Sequence, residues 1–331
     1  MTNTVTHPQN LKAVGLVSAG HFLSHFYMLL IPPLFPLLKD EFGVGFTELG
    51  LAIAVFSVVT GLTQAPIGFL VDRLGGRKIL LCGLLLESAA FICIGLFPSY
   101  GMLLAMMVVA GLANAVYHPA NYAILNASVP NTRMGQAFSI HTAAGMLGNA
   151  VAPMTVVLLI SFTDWATGLI LCGITGGLLS ILIAANAGVL QDTLRQVKTD
   201  ETKKAQSGLR LLFSPPILLG ALFFLCIAVA GHGISAFGVA TLTIIHEISV
   251  TDAAKILSAY LFASPIGVLC GGWVADRIRH HHLFAGVCFV AIALAFFTMA
   301  GLSIRLEVIV FIFVIAGFFS GVVSPSRDML I

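Results

Sequence analysis

Long apolar runs alternate with short polar turns along most of this chain. Asp, Glu, Lys and Arg are absent from 13–38, 49–71, 88–132, 134–163, 165–191, 211–246, 256–275, 280–304 and 308–326. A helix needs ~20 apolar residues to cross the hydrocarbon core of a bilayer. The run 79–132, broken only by Glu87, is long enough for two such helices. Pro98-Ser99-Tyr100-Gly101 supplies the turn between them. The pattern predicts ten membrane-spanning helices, at approximately 13–37, 49–71, 79–97, 102–128, 136–160, 166–187, 216–243, 254–275, 283–302 and 307–331. The expected fold is an all-α, polytopic membrane helix bundle.

Composition sharpens this. Of 331 residues, 58% are hydrophobic and 9% charged, with a mean hydropathy of +1.02. Soluble domains carry roughly 25% charged residues, so this chain has too few to cover its apolar surface in water. The net charge of +2 argues for no nucleic-acid partner. The cysteines (Cys82, Cys93, Cys172, Cys226, Cys270 and Cys288) are scattered through apolar runs and read as small buried hydrophobes. The polar first twelve residues lack the basic start of a signal peptide, and the first apolar run is too long for a cleaved one.

Basic residues fix an expected orientation. Twelve of the sixteen lysines and arginines fall on the side of the N-terminus, against Lys39, Lys255 and Arg305 on the other, with Arg327 inside the last helix. The positive-inside rule therefore places the N-terminus in the cytoplasm and the chain in the cytoplasmic membrane. The longest polar segment, 188–214, divides the chain into a six-helix bundle (1–187) and a four-helix bundle (215–331).

The two bundles repeat one another. Gly68-Phe69-Leu70-Val71-Asp72-Arg73-Leu74-Gly75-Gly76-Arg77-Lys78 is a charged, glycine-rich turn between apolar runs. A weaker copy, Gly272-Trp273-Val274-Ala275-Asp276-Arg277-Ile278-Arg279, lies 204 residues later. Ala110-Gly111, with Asn114 and Pro119 following, matches Ala316-Gly317, with Ser320 and Pro325, at an offset of 206. Two matches at nearly one offset indicate duplication, the way many secondary transporters are built. By that offset the second repeat stops after its fourth helix. Either two terminal helices are missing or this is a ten-helix variant. The first reading is favoured, with low stability and little transport expected of the 331-residue form.

Gly68, Asp72, Arg73, Gly75, Arg77 and Lys78 fill every place of the loop motif between helices 2 and 3 of the major facilitator superfamily, which this chain resembles. The second copy keeps Gly272, Asp276, Arg277 and Arg279. Within the superfamily, His21, Pro36-Leu37-Leu38, Glu41-Phe42, Phe46 and Tyr117-His118-Pro119 resemble the fosmidomycin-resistance-like efflux proteins. The resemblance implies alternating access between two halves. It also implies that the charged turn is a conformational latch, and that helices 1, 4, 7 and 10 line a central cavity. The residues of the turn alone also permit simple topological anchoring, with Arg73, Arg77 and Lys78 at anionic headgroups.

Polar groups inside membrane spans are costly and mark candidate pathways. His21 and His25 lie four apart, on one face of helix 1. Helix 4 has Asn114, Tyr117, His118, Asn121 and Tyr122; helix 5 has His141 and Asn149; helix 7 has His232; helix 10 has Arg327 and Asp328. His21, His25, Asn114, His118, Asn121, His141, His232, Arg327 and Asp328 are the expected substrate and proton pathway. Imidazole titrates near ~6.5, which suits proton coupling. Gly145 and Gly148 have the small-residue spacing of close helix packing, in a stretch that loosely resembles the family's antiport signature. Glu87 is isolated in helix 3, either packed against helix 2 or snorkelling to the interface.

The function expected is proton-coupled efflux of small organic compounds. Proton-coupled uptake of an organic acid, or a remnant that no longer transports, stand as alternatives. No Walker motif is present, so no ATP drive is expected from this chain. A metal-dependent membrane enzyme is the reading from another class. His21 and His25 lack an evident third ligand, and His280-His281-His282 reads as an interfacial cap, so neither metal nor other cofactor is assigned. Oligomeric state is left open.

Overall fold

A computed structural model describes residues 7–130, 133–191, 214–275, 277–278, 280–301 and 304–328. Among these residues no strand occurs, and ten helical spans are long and apolar enough to cross a bilayer. The bundle consists of α1 (His7–Met28), α2 (Phe35–Phe42), α3 (Phe46–Leu74), α4 (Gly76–Leu96), α5 (Tyr100–Asn114), α6 (Tyr117–Ser128), α7 (Met134–Phe162), α8 (Trp165–Ala185), α9 (Pro215–Ile245), α10 (Val250–Ala275), α11 (His281–Gly301) and α12 (Leu306–Asp328). Eight of the ten predicted helices appear as single elements close to their expected limits.

Two do not, and proline explains both. The first predicted helix breaks after Met28 into a 3-10 turn at Pro32–Leu34 and the short α2. Pro32, Pro33 and Pro36 remove the N–H groups that a continuous helix would need. The fourth breaks at Ala115–Val116, between α5 and α6. Pro119 lies in the first turn of α6 and has no N–H to extend the ladder back into α5.

The predicted turns are built by their own side chains. Ser99 Oγ accepts from the Met102 N–H at 3.2 Å and caps α5. Asp164 caps α8 by accepting from the Thr167 N–H at 2.9 Å and the Thr167 hydroxyl at 2.7 Å. These bonds hold its carboxyl below its ordinary value of 3.8. Gly75 ends α3 and precedes α4 with φ +91°, a backbone conformation that excludes a Cβ at low cost.

Lipid offers helices no hydrophobic reward for pairing, so contact relies on small residues and close backbones. α10 and α12 show this most plainly, and they pack along their length. Gly317 sits against the Tyr260 carbonyl and Gly321 against the Ser264 carbonyl. In return, Gly267 meets the Phe318 carbonyl and Gly271 the Val322 carbonyl. Both helices thus carry a Gly-x-x-x-Gly pair into one seam. In the earlier part of the chain α1 packs on α7, α4 on α8 and α5, and α3 on α5. Outward faces are apolar: Leu269 and Phe297 are each 78% exposed, as lipid-facing residues must be.

The two parts meet where α7 packs against α10 and where α9 leans on the 3-10 turn and α2. Phe237 of α9 stacks edge-on against Phe35 at 5.6 Å. It also fills the space beside Gly50, where a Cβ would lie 2.7 Å from its ring. Burial along α9 follows this contact. Val239 and Leu242 are buried, while Leu219, Leu222 and Leu225 at the other end are exposed.

Candidate functional site

The site is organised around four imidazoles brought together by α1, α6 and α7. His21 and His25 share the inner face of α1, as their spacing requires, and their rings meet edge-on at 4.6 Å. The start of α6 brings His118, whose ring lies 5.2 Å from that of His21. α7 lays His141 flat on His21, with ring centres 3.8 Å apart and 12° between planes. Gly145, one turn along α7, makes this approach possible: a Cβ there would lie 2.6 Å from His21. Gly148 likewise sits against the Phe22 carbonyl.

The hydrogen bonds fix the tautomers. His21 Nδ1 donates to the His141 carbonyl at 2.8 Å. In the neutral ring this leaves the lone pair on His21 Nε2. His25 Nε2 lies 3.2 Å from that atom and so donates to it. His25 Nδ1 then accepts from Asn149 Nδ2 at 2.9 Å. A directed chain runs Asn149 → His25 → His21 → the His141 carbonyl. Among the described residues neither ring nitrogen of the buried His141 has a hydrogen-bond partner.

The open end of this chain faces a cavity of about 380 Å³. Its wall includes His25 and Asn149 on one side and His232, Ser235, Tyr260 and Ser264 on the other. His232 Nδ1 donates to the Ala228 carbonyl of its own helix at 2.9 Å, which presents the rest of the ring to the space.

Asn114 and Asn121 lie outside this cluster. Asn114 is buried and turns away from the cavity wall. Its amide donates to the Ser24 carbonyl and to Glu87 Oε1, both at 3.2 Å. Asn121 is fully buried, and its amide finds no hydrogen-bond partner among the described residues. Arg327 and Asp328 end α12, and their side chains lie outside the described residues.

Glu87 contradicts both sequence expectations for it. It neither snorkels nor pairs with α3. It is fully buried and faces the α5–α6 break, where Tyr117 donates to its Oε2 at 2.7 Å. The break turns Asn114 and Tyr117 onto one carboxyl.

In the charged turn, Gly75 takes its positive φ, and a Cβ on Gly76 would lie 2.9 Å from the Ala120 carbonyl. Gly68 approaches Pro119 of α6, and Asp72 is half-buried in the last turn of α3. Arg73 and Lys78 are exposed. Arg77 instead reaches inward and donates to the Ala187 carbonyl beyond α8 at 3.0 Å, an end rich in unpaired carbonyls. In the second copy Gly272 lies in α10 and Arg277 follows it, exposed; Asp276 and Arg279 are outside the described residues.

Sequence reasoning named Asn149 without placing it in the site. It also missed Ser235, Tyr260 and Ser264 of the facing wall. The one available signal was the i, i+4, i+8 alignment of His141, Gly145 and Asn149 on α7.

Among the described residues, ten candidate spans and a largely apolar cavity that carries a few polar groups define a polytopic membrane bundle. The model of the Major Facilitator Superfamily matches residues 17–331, and the chain belongs to that superfamily. It is 24% identical over 323 residues to the fosmidomycin resistance protein of Escherichia coli (strain K12), covering 96% of this chain and 78% of that protein. It is 23% identical over 288 residues to the uncharacterized MFS-type transporter YfnC of Bacillus subtilis (strain 168), covering 82% and 67% respectively. Among solved structures it superposes on a bacterial homolog of the human lysosomal transporter Spinster, in an inward-facing and unoccupied conformation. That match has a TM-score of 0.79 and 17% identity, covering 98% of this chain and 75% of that one.

Proposed function

We propose that this protein is a secondary active transporter that exports small organic compounds in exchange for protons. The observation that carries the reading is the cavity between α1 and α7 on one side and α9 and α10 on the other, with the histidine chain ending in its wall at His25. Residues 1–187 and 215–331 act as the two rocking bodies, with 188–214 as the link. The Phe35–Phe237 contact joins the two bodies at the α2 end, which is the outer side with the N-terminus in the cytoplasm, as the basic residues favour. On this reading the two bodies are joined on the outer side, as an inward-facing state requires. The charged turn, with Gly68 and Asp72 through Lys78 in the first copy and Gly272 through Arg277 in the second, serves as the latch.

A neutral imidazole at the cavity wall can take up a proton and hand it along a hydrogen-bonded chain. Fosmidomycin, the compound in the name of the E. coli relative, is the first to test, within a panel of small organic anions. In inside-out vesicles, a transported member of the panel accumulates, releases protons on addition, and stops moving when a protonophore collapses the gradient. His25→Ala keeps binding but loses the proton signal. Flux indifferent to the protonophore overturns the coupling, and an unchanged signal in His25→Ala removes the histidine from it.

A further inference from the structure

We propose that His21, His118 and His141 form a binding site for one divalent transition-metal ion of the class imidazole favours, Zn²⁺, Co²⁺ or Ni²⁺. The proposal is independent of the transport reading.

Three different spans deliver the three rings, with ligand nitrogens all within 4.8 Å of one another. Two further features point to a ligand. His141 is 1% exposed, yet both its ring nitrogens lack a partner among the described residues. Leaving buried polar atoms unpaired is costly, and such atoms call for an ion or other partner. His21 is also prepared as a ligand. Its Nδ1–H is tied to the His141 carbonyl at 2.8 Å, which fixes the ring and leaves the Nε2 lone pair outward. Metal-binding histidines are held by this kind of bond at the other nitrogen.

Zinc–nitrogen bonds of ~2.0–2.1 Å require the three nitrogens to close in from their present spacing. His141, now flat against His21, has to turn about its Cβ–Cγ bond to aim a lone pair at the ion. Gly145, without a Cβ, lets α7 stand close enough to the His21 and His25 rings for His141 to reach the same ion. Three imidazoles leave one tetrahedral position open. Because the ligands are neutral, the ion keeps its charge and favours hydroxide or an anionic group there. Binding also uses the His21 lone pair that His25 now donates to. Occupancy therefore releases the His25 N–H toward the cavity, coupling the ion to the cavity wall.

The test uses the full chain purified without a polyhistidine tag, carrying His280→Ala, His281→Ala and His282→Ala so that the exposed tract cannot contribute. After chelation, Co²⁺ is titrated in and the visible absorption of tetrahedral cobalt is followed, then displaced by Zn²⁺. The expected result is one ion per chain and a rise in melting temperature with Zn²⁺. His118→Gln and His141→Ala each weaken binding by more than the ~10–100-fold typical of losing an outer-shell partner. His232→Ala binds as the parent does. His118 is half-buried, so His118→Gln serves if His141→Ala fails to fold. Absence of stoichiometric binding, or binding unchanged in His118→Gln, overturns the site and leaves the cluster a hydrogen-bonded one only.

Discussion

Tyr117 donates a 2.7 Å hydrogen bond to Glu87 from the first residue after a break in the fourth span. Asn114, the last residue before that break, holds the other carboxyl oxygen at 3.2 Å. The break and the buried acid therefore specify one another. Glu87→Gln keeps an oxygen to accept and an amide that bonds back to the tyrosine, and is expected to cost no more than about 1 kcal/mol. Glu87→Leu leaves the Tyr117 hydroxyl unpaired and removes one of the two acceptors of the Asn114 amide, and is expected to cost about 1–3 kcal/mol. Thermal melting in detergent ranks them. A glutamine variant less stable than the leucine variant would contradict this account of the acid.

Adjacent glycines in α8 make a matched pair. A Cβ on Gly176 would run into the Tyr27 hydroxyl and Ser88 Oγ, whereas one on Gly177 meets nothing within 4 Å. Tyr27 is itself fixed by donating to the Cys172 carbonyl at 3.0 Å. Gly176→Ala is expected to destabilise by about 1–3 kcal/mol through overpacking. Gly177→Ala should match the parent. Equal melting temperatures for the two variants would show that α8 slides to relieve the contact.

Phe237 tests whether the contact between the two bodies at the α2 end closes the cavity on that side. Phe237→Ala removes its stacking on Phe35 and its packing beside Gly50. An aromatic pair contributes about 0.5–1.5 kcal/mol beyond its area, enough to change a two-state population about two- to tenfold. Labelling of Ser235→Cys by an impermeant thiol reagent, added on the side of the α2–α3 turn, should rise by that order. The assay needs a background lacking the six native cysteines. No increase would place the closure elsewhere.

Asp164 gives a pH dependence whose sign follows from its cap. The bonds from Thr167 hold its carboxyl below 3.8. A depressed carboxyl contributes stability that is present above its ordinary value and is lost as pH falls through the lowered one. The melting-temperature advantage over Asp164→Asn should therefore be constant near neutrality and shrink in acid below that value. A gap that does not change with pH would show that the carboxylate charge plays no part in the cap.

The sequence by itself determined the number of spans, their approximate limits, the charged turn and the superfamily. These depend on the length of apolar runs and on turn residues, which act locally: Ser99 and Asp164 cap helices within three residues of themselves. Even the two interrupted spans carried their proline signals in the chain. The paired Gly-x-x-x-Gly seam of α10 and α12 was also written there as Gly267, Gly271, Gly317 and Gly321. Tertiary structure alone decided which polar side chains meet across different spans. Glu87 reaches Asn114 and Tyr117 only because the α5–α6 break turns both toward it. His141 lies on His21 across 120 residues because α1 and α7 approach closely at Gly145 and Gly148. A span that is apolar nearly all round gives no clue to which face meets which neighbour. That choice is made by backbone approach between distant helices, and it converts scattered histidines into one cluster at a cavity wall.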